Sequence, residues 1–489
     1  MKLKAALLGF TFLAATTAAQ DQLYFGADDL FATGHTQAPL NMFPPGTPEF
    51  KADISHWTNS SSQVATCSVR PGTAQDLGLI LRELAHTRTP FAIRCSGHTG
   101  NPHFSSTRAV QISMTRFNEI VINEKEGTVE FGTGLTWTDV YSYLVPRGLN
   151  VVGGRLNGVG VGGFTLGGGY SWKTNQYGLT VDTLTAIELV LPNGNVVKVT
   201  EKDKDLWFAL KGGLNNYGIA TKFTLKTHKQ TDVWGAILAF EGEQVKPAYT
   251  AFADFLAKDN DHKGAQLGAM AYTNGTSSSE QVGLGMVLFY DGPKPPAGLY
   301  DDLLNLPNSL KSIIEGTFVD FVLSLPPPIR ERAYFDGVPM LHYSAPVLKA
   351  MADDLQSWGD RLSKHDKDTL IVVNLDAFNS DILTHGKPSA YPPDRSHTVL
   401  PSSLYLGWTD KSLDKYMYDN LRALSTELIQ AGIEDGQDLK HAAHYTNYAV
   451  FGTPLGQMYG KNVPRLREIR KRYDPNRVMD LTGGFRFRF

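Results

Sequence analysis

At 489 residues, 42% of them apolar and 19% charged, the chain can bury a large core and divide into two domains. That composition excludes a disordered, fibrous or membrane-embedded protein. Its 46 basic and 49 acidic side chains give a net charge of -3 with no Lys/Arg-rich run, which excludes nucleic acid as a partner.

The N-terminus reads as an export signal over 1–19. Lys2 and Lys4 precede an apolar stretch from Ala5 to Ala15, and Thr16, Thr17, Ala18 and Ala19 offer small residues for cleavage. A buried N-terminal helix is the poorer reading, because no polar face recurs at helical spacing. No later apolar run has the length to span a membrane. A secreted or lumenal monomer with a glycosylated surface is the expectation, with sequons at Asn59-Ser60-Ser61 and Asn274-Gly275-Thr276. An oxidising compartment permits a disulfide between Cys67 and Cys95; two buried free thiols are equally compatible.

After a loop-rich leader over 20–60, strand and helix signals alternate. Ala65 to Arg70 and Phe91 to Arg94 read as strands, with a helix from Thr73 to Ala85 between them whose Leu77, Ile80, Leu81 and Leu84 recur at helical spacing. Strands follow near Ile120–Asn123 and Thr128–Gly132, then a helix opened by Thr136 with Asp139 placed for a capping box. Ala186–Leu191 and Asn195–Thr200 flank Pro192-Asn193-Gly194, a hairpin signal. From about Thr231 the texture changes. Strands at Trp234–Phe240, Gln281–Phe289 and Leu370–Leu375 alternate with amphipathic helices at Pro247–Lys258, Ser344–Ser363 and Leu413–Gln430, broken by Pro-rich connectors at 292–296 and 326–328. The pattern is α+β, ending in an antiparallel sheet covered by helices.

Gly158-Val159-Gly160-Val161-Gly162-Gly163 satisfies G-x-G-x-x-G, and Asp182 follows about twenty residues later. A Rossmann site needs a helix starting at that loop, and Gly167-Gly168-Gly169 is poor helix material. The segment reads better as an extended glycine-lined wall whose backbone N–H groups reach a diphosphate. Tight packing of turns is the plainer alternative. His441 and His444 lack a glutamate for a zinc-hydrolase motif, so no metal is expected.

Arg94-Cys95-Ser96-Gly97-His98 resembles a signature of the flavin oxidoreductases with a vanillyl-alcohol-oxidase-type FAD domain, specifically their berberine-bridge-enzyme-like branch. The signature is an Arg-x-Gly-Gly-His turn with its histidine bonded to the flavin; Ser96 replaces the first glycine. Val159 to Gly169, Tyr177-Gly178 with Asp182, Asp205-Leu206-Trp207 through Ile219, Tyr445-Thr446-Asn447-Tyr448 and Tyr473-Asp474-Pro475-Asn476 continue the resemblance in the family's order over some four hundred residues.

The resemblance implies a PCMH-type FAD-binding domain of two α+β subdomains over 61–231, a substrate domain over 232–440 and a segment over 441–489 that returns to the FAD domain. It implies FAD bonded to His98 and held by Arg94, Ser96, Gly97, Thr99, Gly100, Val159, Gly160, Gly162, Gly163, Thr165, Leu166, Gly167, Gly168, Gly178, Asp182, Gly213, Asn216, Gly218 and Ile219. Many relatives attach FAD a second time through a cysteine where this chain has Leu156, so a single bond is expected. Val159 resembles the oxygen-permissive residue of the family's oxidases, unless it serves packing alone. Tyr448 is implied as the base that takes the substrate proton, with Tyr445 and Asn447 in support. A phenol with a pKa near ~10 needs help to act so, and Arg155, His444 and Lys173 are the candidates. The expected function is oxidation of a small alcohol or secondary metabolite with oxygen as electron acceptor and hydrogen peroxide as product. A carbohydrate oxidase and a non-catalytic secreted binding protein are the alternatives.

Overall fold

Capping residues and apolar spacing set the first elements. In the computed structural model, which describes residues 41–274, 281–325 and 331–489, the chain opens with β1 (Asn41–Phe43), β2 (Cys67–Arg70), β3 (Phe91–Arg94) and β4 (Val110–Ser113). The expected signal peptide, the leader up to residue 40, the last two residues of the second sequon and the 326–328 connector lie outside the described residues. β2, β4 and β3 pair in parallel in that order, with β1 antiparallel at the β2 edge. The parallel pairs need a crossover, supplied by the helix Ala74–Thr87. It starts at a capping box in which Thr73 and Asp76 exchange side-chain-to-backbone bonds, and it buries Leu77, Ile80, Leu81 and Leu84 as their spacing demands.

A second sheet follows from β5 (Ile120–Asn123), β6 (Thr128–Gly132), β8 (Leu184–Val190), β9 (Val196–Val199) and β10 (Ile219–Lys226), in the order β5-β6-β10-β8-β9 and antiparallel throughout. The short β7 (Leu149–Asn150) and β11 (His228–Lys229) pair separately. β8 and β9 join through the Pro192-Asn193-Gly194 turn, where Gly194 takes φ 81°. Thr136 and Asp139 form the expected capping box on the helix Trp137–Leu144.

The third sheet has seven strands: β12 (Val233–Phe240), β13 (Gly264–Thr273), β14 (Val282–Tyr290), β15 (Leu310–Gly316), β16 (Arg332–Gly337), β17 (Leu370–Ala377) and β18 (Ser403–Trp408). Their order is β15-β12-β14-β13-β17-β18-β16, all antiparallel. Helices Val245–Leu256, Ala345–Leu362 and Asp414–Glu434 cover one face. The covering shows in the alternation of β13: Gln266, Met270 and Tyr272 are buried on the helix side, whereas Leu267, Ala269 and Ala271 on the other side are half-buried.

The chain then returns to its beginning. Helix Val463–Tyr473 packs on Lys204–Leu210, Tyr217 Oη donates to Leu466 O, and Asn216 Nδ2 donates to Phe485 O. Cys67 and Cys95 are free thiols, so the disulfide option is closed. Among the described residues, no helix is long and apolar enough to cross a membrane.

Candidate active site

The site is built where β3 runs out. Its last residue, Arg94, donates from Nε to Ser55 O at 2.6 Å, and the backbone turns back at Gly97, whose φ of 75° disfavours a side chain. The turn carries His98 onto the wall of a cavity of ≈ 680 Å³, within the ~300–1,000 Å³ usual for ligand sites. The imidazole stacks on Trp57, with ring centroids 5.0 Å apart, and Trp57 stacks in turn on Phe335 at 5.5 Å. Burial pushes the His98 pKa down to about 4, so the ring is neutral at ordinary pH.

The glycine segment differs from the extended wall expected of it. Val161–Leu166 forms a short helix with Gly160 as its N-cap. A Cβ on Gly160 would strike Ser96, one on Gly162 the sulfur of Cys95, and one on Gly167 the amide of Asn447. Those three glycines therefore let the His98 turn and the Tyr445–Tyr448 segment close on this loop. Gly163 alone among the four meets nothing within 4 Å where its Cβ would stand. An anion can approach the backbone there.

Several residues singled out in the sequence line the cavity together: Ser96, Gly97, His98, Thr99, Gly100, Val159, Gly160, Gly162, Gly163, Leu166, Ile219, Tyr445, Asn447 and Tyr448, with Leu156 beside them. Others lie outside its lining. The Asp182 carboxylate is buried and holds Arg395 through two hydrogen bonds of 2.8 and 3.2 Å while capping Leu179, with Gly178 packed against it. Asn216 ties down the C-terminal segment. Arg94, at the end of its strand, Thr165, inside the helix Val161–Leu166, and Gly167, Gly168, Gly213 and Gly218 are likewise absent from the lining.

Tyr448 sits in a charged cluster. Its hydroxyl donates to Asp376 Oδ2 at 3.0 Å and accepts from Arg155 Nη2 at 2.8 Å. Arg155 grips the same carboxylate in a bidentate pair at 2.8 and 2.9 Å. Of the three groups considered as activators, only Arg155 bonds Tyr448. Lys173 pairs with Asp291, and the His444 ring packs beside Gly337. Burial and the Asp376 charge hold the Tyr448 phenol well above its ordinary pKa, and Arg155 offsets only part of that rise. Tyr448 is thus a neutral phenol whose hydroxyl is a hydrogen-bond donor to the Asp376 carboxyl group. Burial likewise pushes Tyr445 up to about 12; its hydroxyl accepts from Gly169 N and from Asn447 Nδ2.

Asp376 and Trp57 escaped the sequence reading. Asp376 had a signal: a lone carboxylate inside the buried strand Leu370–Ala377 cannot stand there unpaired. Trp57 had none, because it reaches His98 from a loop forty residues earlier.

Comparison with known proteins agrees with this picture. A family described as FAD binding domain matches residues 65–200, and one described as berberine and berberine like matches residues 444–482. An uncharacterized FAD-linked oxidoreductase of Arthroderma benhamiae is 33% identical over 55% of this chain and 54% of its own length. The first curated relatives are matched over 40–54% of their own lengths, about half. The FAD-dependent monooxygenase drtC of Aspergillus calidoustus is 26% identical over 89% of this chain and 86% of its own. In fold, the carbohydrate oxidase from Microdochium nivale superposes with a TM-score of 0.74 at 18% identity, over 95% of this chain and 99% of that one. The chain thus carries a match to an FAD binding domain over residues 65–200 and to a berberine-like segment over residues 444–482, on a fold it shares with the carbohydrate oxidase over 95% of its length.

Proposed function

We propose that this chain is an FAD-dependent oxidase that takes hydride from the hydroxyl-bearing carbon of a small organic substrate and passes the electrons to oxygen, giving hydrogen peroxide. The observation that carries the reading is the Tyr448–Asp376–Arg155 cluster, its ion pair buried, on the wall of the cavity that holds His98. The residues present fit the cofactor: Gly163 leaves an open cradle at the backbone, and the His98 turn borders the same space. Bound FAD would supply the hydride acceptor and the centre that reacts with oxygen.

The chain's own residues handle the proton. As the alcohol becomes a carbonyl, its hydroxyl proton passes to Tyr448 Oη, and the proton already on Tyr448 passes to Asp376 Oδ2. Arg155 keeps the carboxylate and the phenol in line and balances the charge. Tyr445 and Asn447, bonded to each other, position Tyr448.

His98 would carry the flavin, because a neutral imidazole retains a lone pair for the bond. Leu156 offers no nucleophile for a second attachment, and Val159 leaves room for oxygen. We read residues 61–231 as the FAD unit, 232–440 as the substrate unit and 441–489 as the returning segment of a secreted, glycosylated monomer.

Two relatives favour neighbouring readings: a carbohydrate oxidase by fold, and a monooxygenase by sequence. Acid precipitation of one sample, and a peroxide assay of native enzyme on alcohols, sugars and aromatic metabolites, separate them. A yellow pellet with one peroxide per turnover supports the proposal. Oxygen uptake without peroxide supports a monooxygenase, and a colourless protein overturns the flavin reading.

A further inference from the structure

The face of the seven-stranded sheet that lines the cavity carries a pattern the reaction does not require. Starting at Asp376 and crossing the strands in register, the chain places Leu267, Val287, Ile237 and then Ser312 side by side. At ~4.8 Å per strand, the next polar side chain in that row is about 19 Å from Asp376. The neighbouring row runs from Asn374 to Ala269 and Gly285. Asn374 donates its amide to Ser403 Oγ at 2.9 Å, so the two polar groups of that row engage each other. The floor is therefore a low apolar ridge beside a flat trough of small side chains, with Asp376, Asn374 and Ser403 at the Tyr448 end and Ser312 at the far end of the ridge.

Such a floor cannot pair the ring of hydroxyls that a sugar presents, and a hydroxyl buried without a partner is penalised. A flat apolar body loses nothing there and gains by leaving water. We propose that this half of the cavity takes an aromatic or polycyclic alcohol, lying along Leu267, Val287 and Ile237 with its one hydroxyl at Tyr448. The chemistry at that hydroxyl rests on the oxidase reading above; the binding preference does not.

The test uses the flavin-loaded enzyme and two probes, 9-anthracenemethanol and cellobiose. Dissociation constants come from perturbation of the flavin spectrum, and turnover from flavin bleaching without oxygen. The aromatic alcohol should bind at least about tenfold more tightly than the sugar. Val287→Thr, which keeps the shape of the side chain and adds one hydroxyl, should weaken the aromatic probe several-fold with unchanged flavin content. Ala269→Leu should do the same by filling the trough. Equal or tighter binding of cellobiose, binding of neither probe, or indifference to both substitutions would overturn the proposal. Tight aromatic binding that never bleaches the flavin would uphold the binding preference and overturn the oxidase reading instead.

Discussion

The imidazole of His98 lies on the indole of Trp57, planes 17° from parallel and centroids 5.0 Å apart. A neutral ring on a single turn would otherwise rotate about its χ angles, and a bond to a flavin carbon requires one orientation. Trp57→Ala should leave more flavin in the supernatant after acid precipitation, while Trp57→Phe retains it in the pellet. His98→Ala should release all of it. Full retention in Trp57→Ala would mean the stack does not orient the ring.

Tyr448 touches both members of an ion pair through one oxygen. Phenylalanine in its place keeps the ring packing against Tyr445 but removes the proton acceptor. Tyr448→Phe should lower kcat by about 10²–10⁴ with flavin content unchanged. Because the phenol's own pKa is raised, the pH profile of kcat should show no limb near the ~10 of a free tyrosine. A kcat within threefold of wild type, set against the ~10²-fold expectation, would remove Tyr448 from the proton path.

Val159 lines the cavity, and its carbonyl accepts from Trp137 N at 2.9 Å, which fixes the backbone on which the side chain stands. Leucine there adds one methylene to the wall. Val159→Leu should slow reoxidation of the reduced enzyme about tenfold, equivalent to about 1.4 kcal/mol on that barrier, with flavin reduction by substrate little changed. Stopped-flow mixing with oxygen reads both steps. Unchanged reoxidation would leave Val159 a packing residue.

Away from the cavity, His228 stacks on Tyr177 at 3.6 Å, and burial, with Lys173 adding to it, pushes its pKa down to about 4. The unfolded chain takes up that proton near the ordinary value of ~6.5. Between those values the unfolded state binds more protons than the folded one, so stability falls as pH drops from about 6.5 to about 4 and is unaffected above. Partial solvation of the ring limits the effect to about 1–3 kcal/mol. Denaturant titrations at several pH values should show the slope, and His228→Gln should flatten it. A slope unchanged in that variant would assign it to other groups.

How far the sequence could be read depended on whether a feature was local. Capping boxes at Thr73 and Thr136, the strand Phe91–Arg94 and the turn at Gly194 are decided within a few residues, and each stands where its pattern puts it. β13, β15, β16 and β18 went unread. Gly264–Thr273 is full of glycine and alanine, and its strand identity comes from pairing with β14 and β17 rather than from propensity. The glycine loop shows the limit in another way: Gly160 and Gly162 line the cavity, yet they and Gly167 also answer to Ser96, Cys95 and Asn447, partners that only the folded chain brings near. The Tyr448 cluster joins residues 72 and 293 positions apart, which no spacing rule reaches.

That cluster also separates stability from catalysis. Arg155 and Asp376 are almost wholly buried and satisfy each other in two bonds. Removing one charge strands the other. Asp376→Asn should therefore cost about 3–5 kcal/mol of stability and should also abolish turnover, since the amide cannot accept the Tyr448 proton. Replacing both partners by apolar residues of similar volume, Arg155→Met with Asp376→Leu, should recover most of the stability while activity stays lost. Urea unfolding of the two variants, each alongside an anaerobic flavin-bleaching assay, distinguishes the roles. If the double variant regains activity with its stability, the ion pair acts only as scaffold and Tyr448 must pass its proton elsewhere.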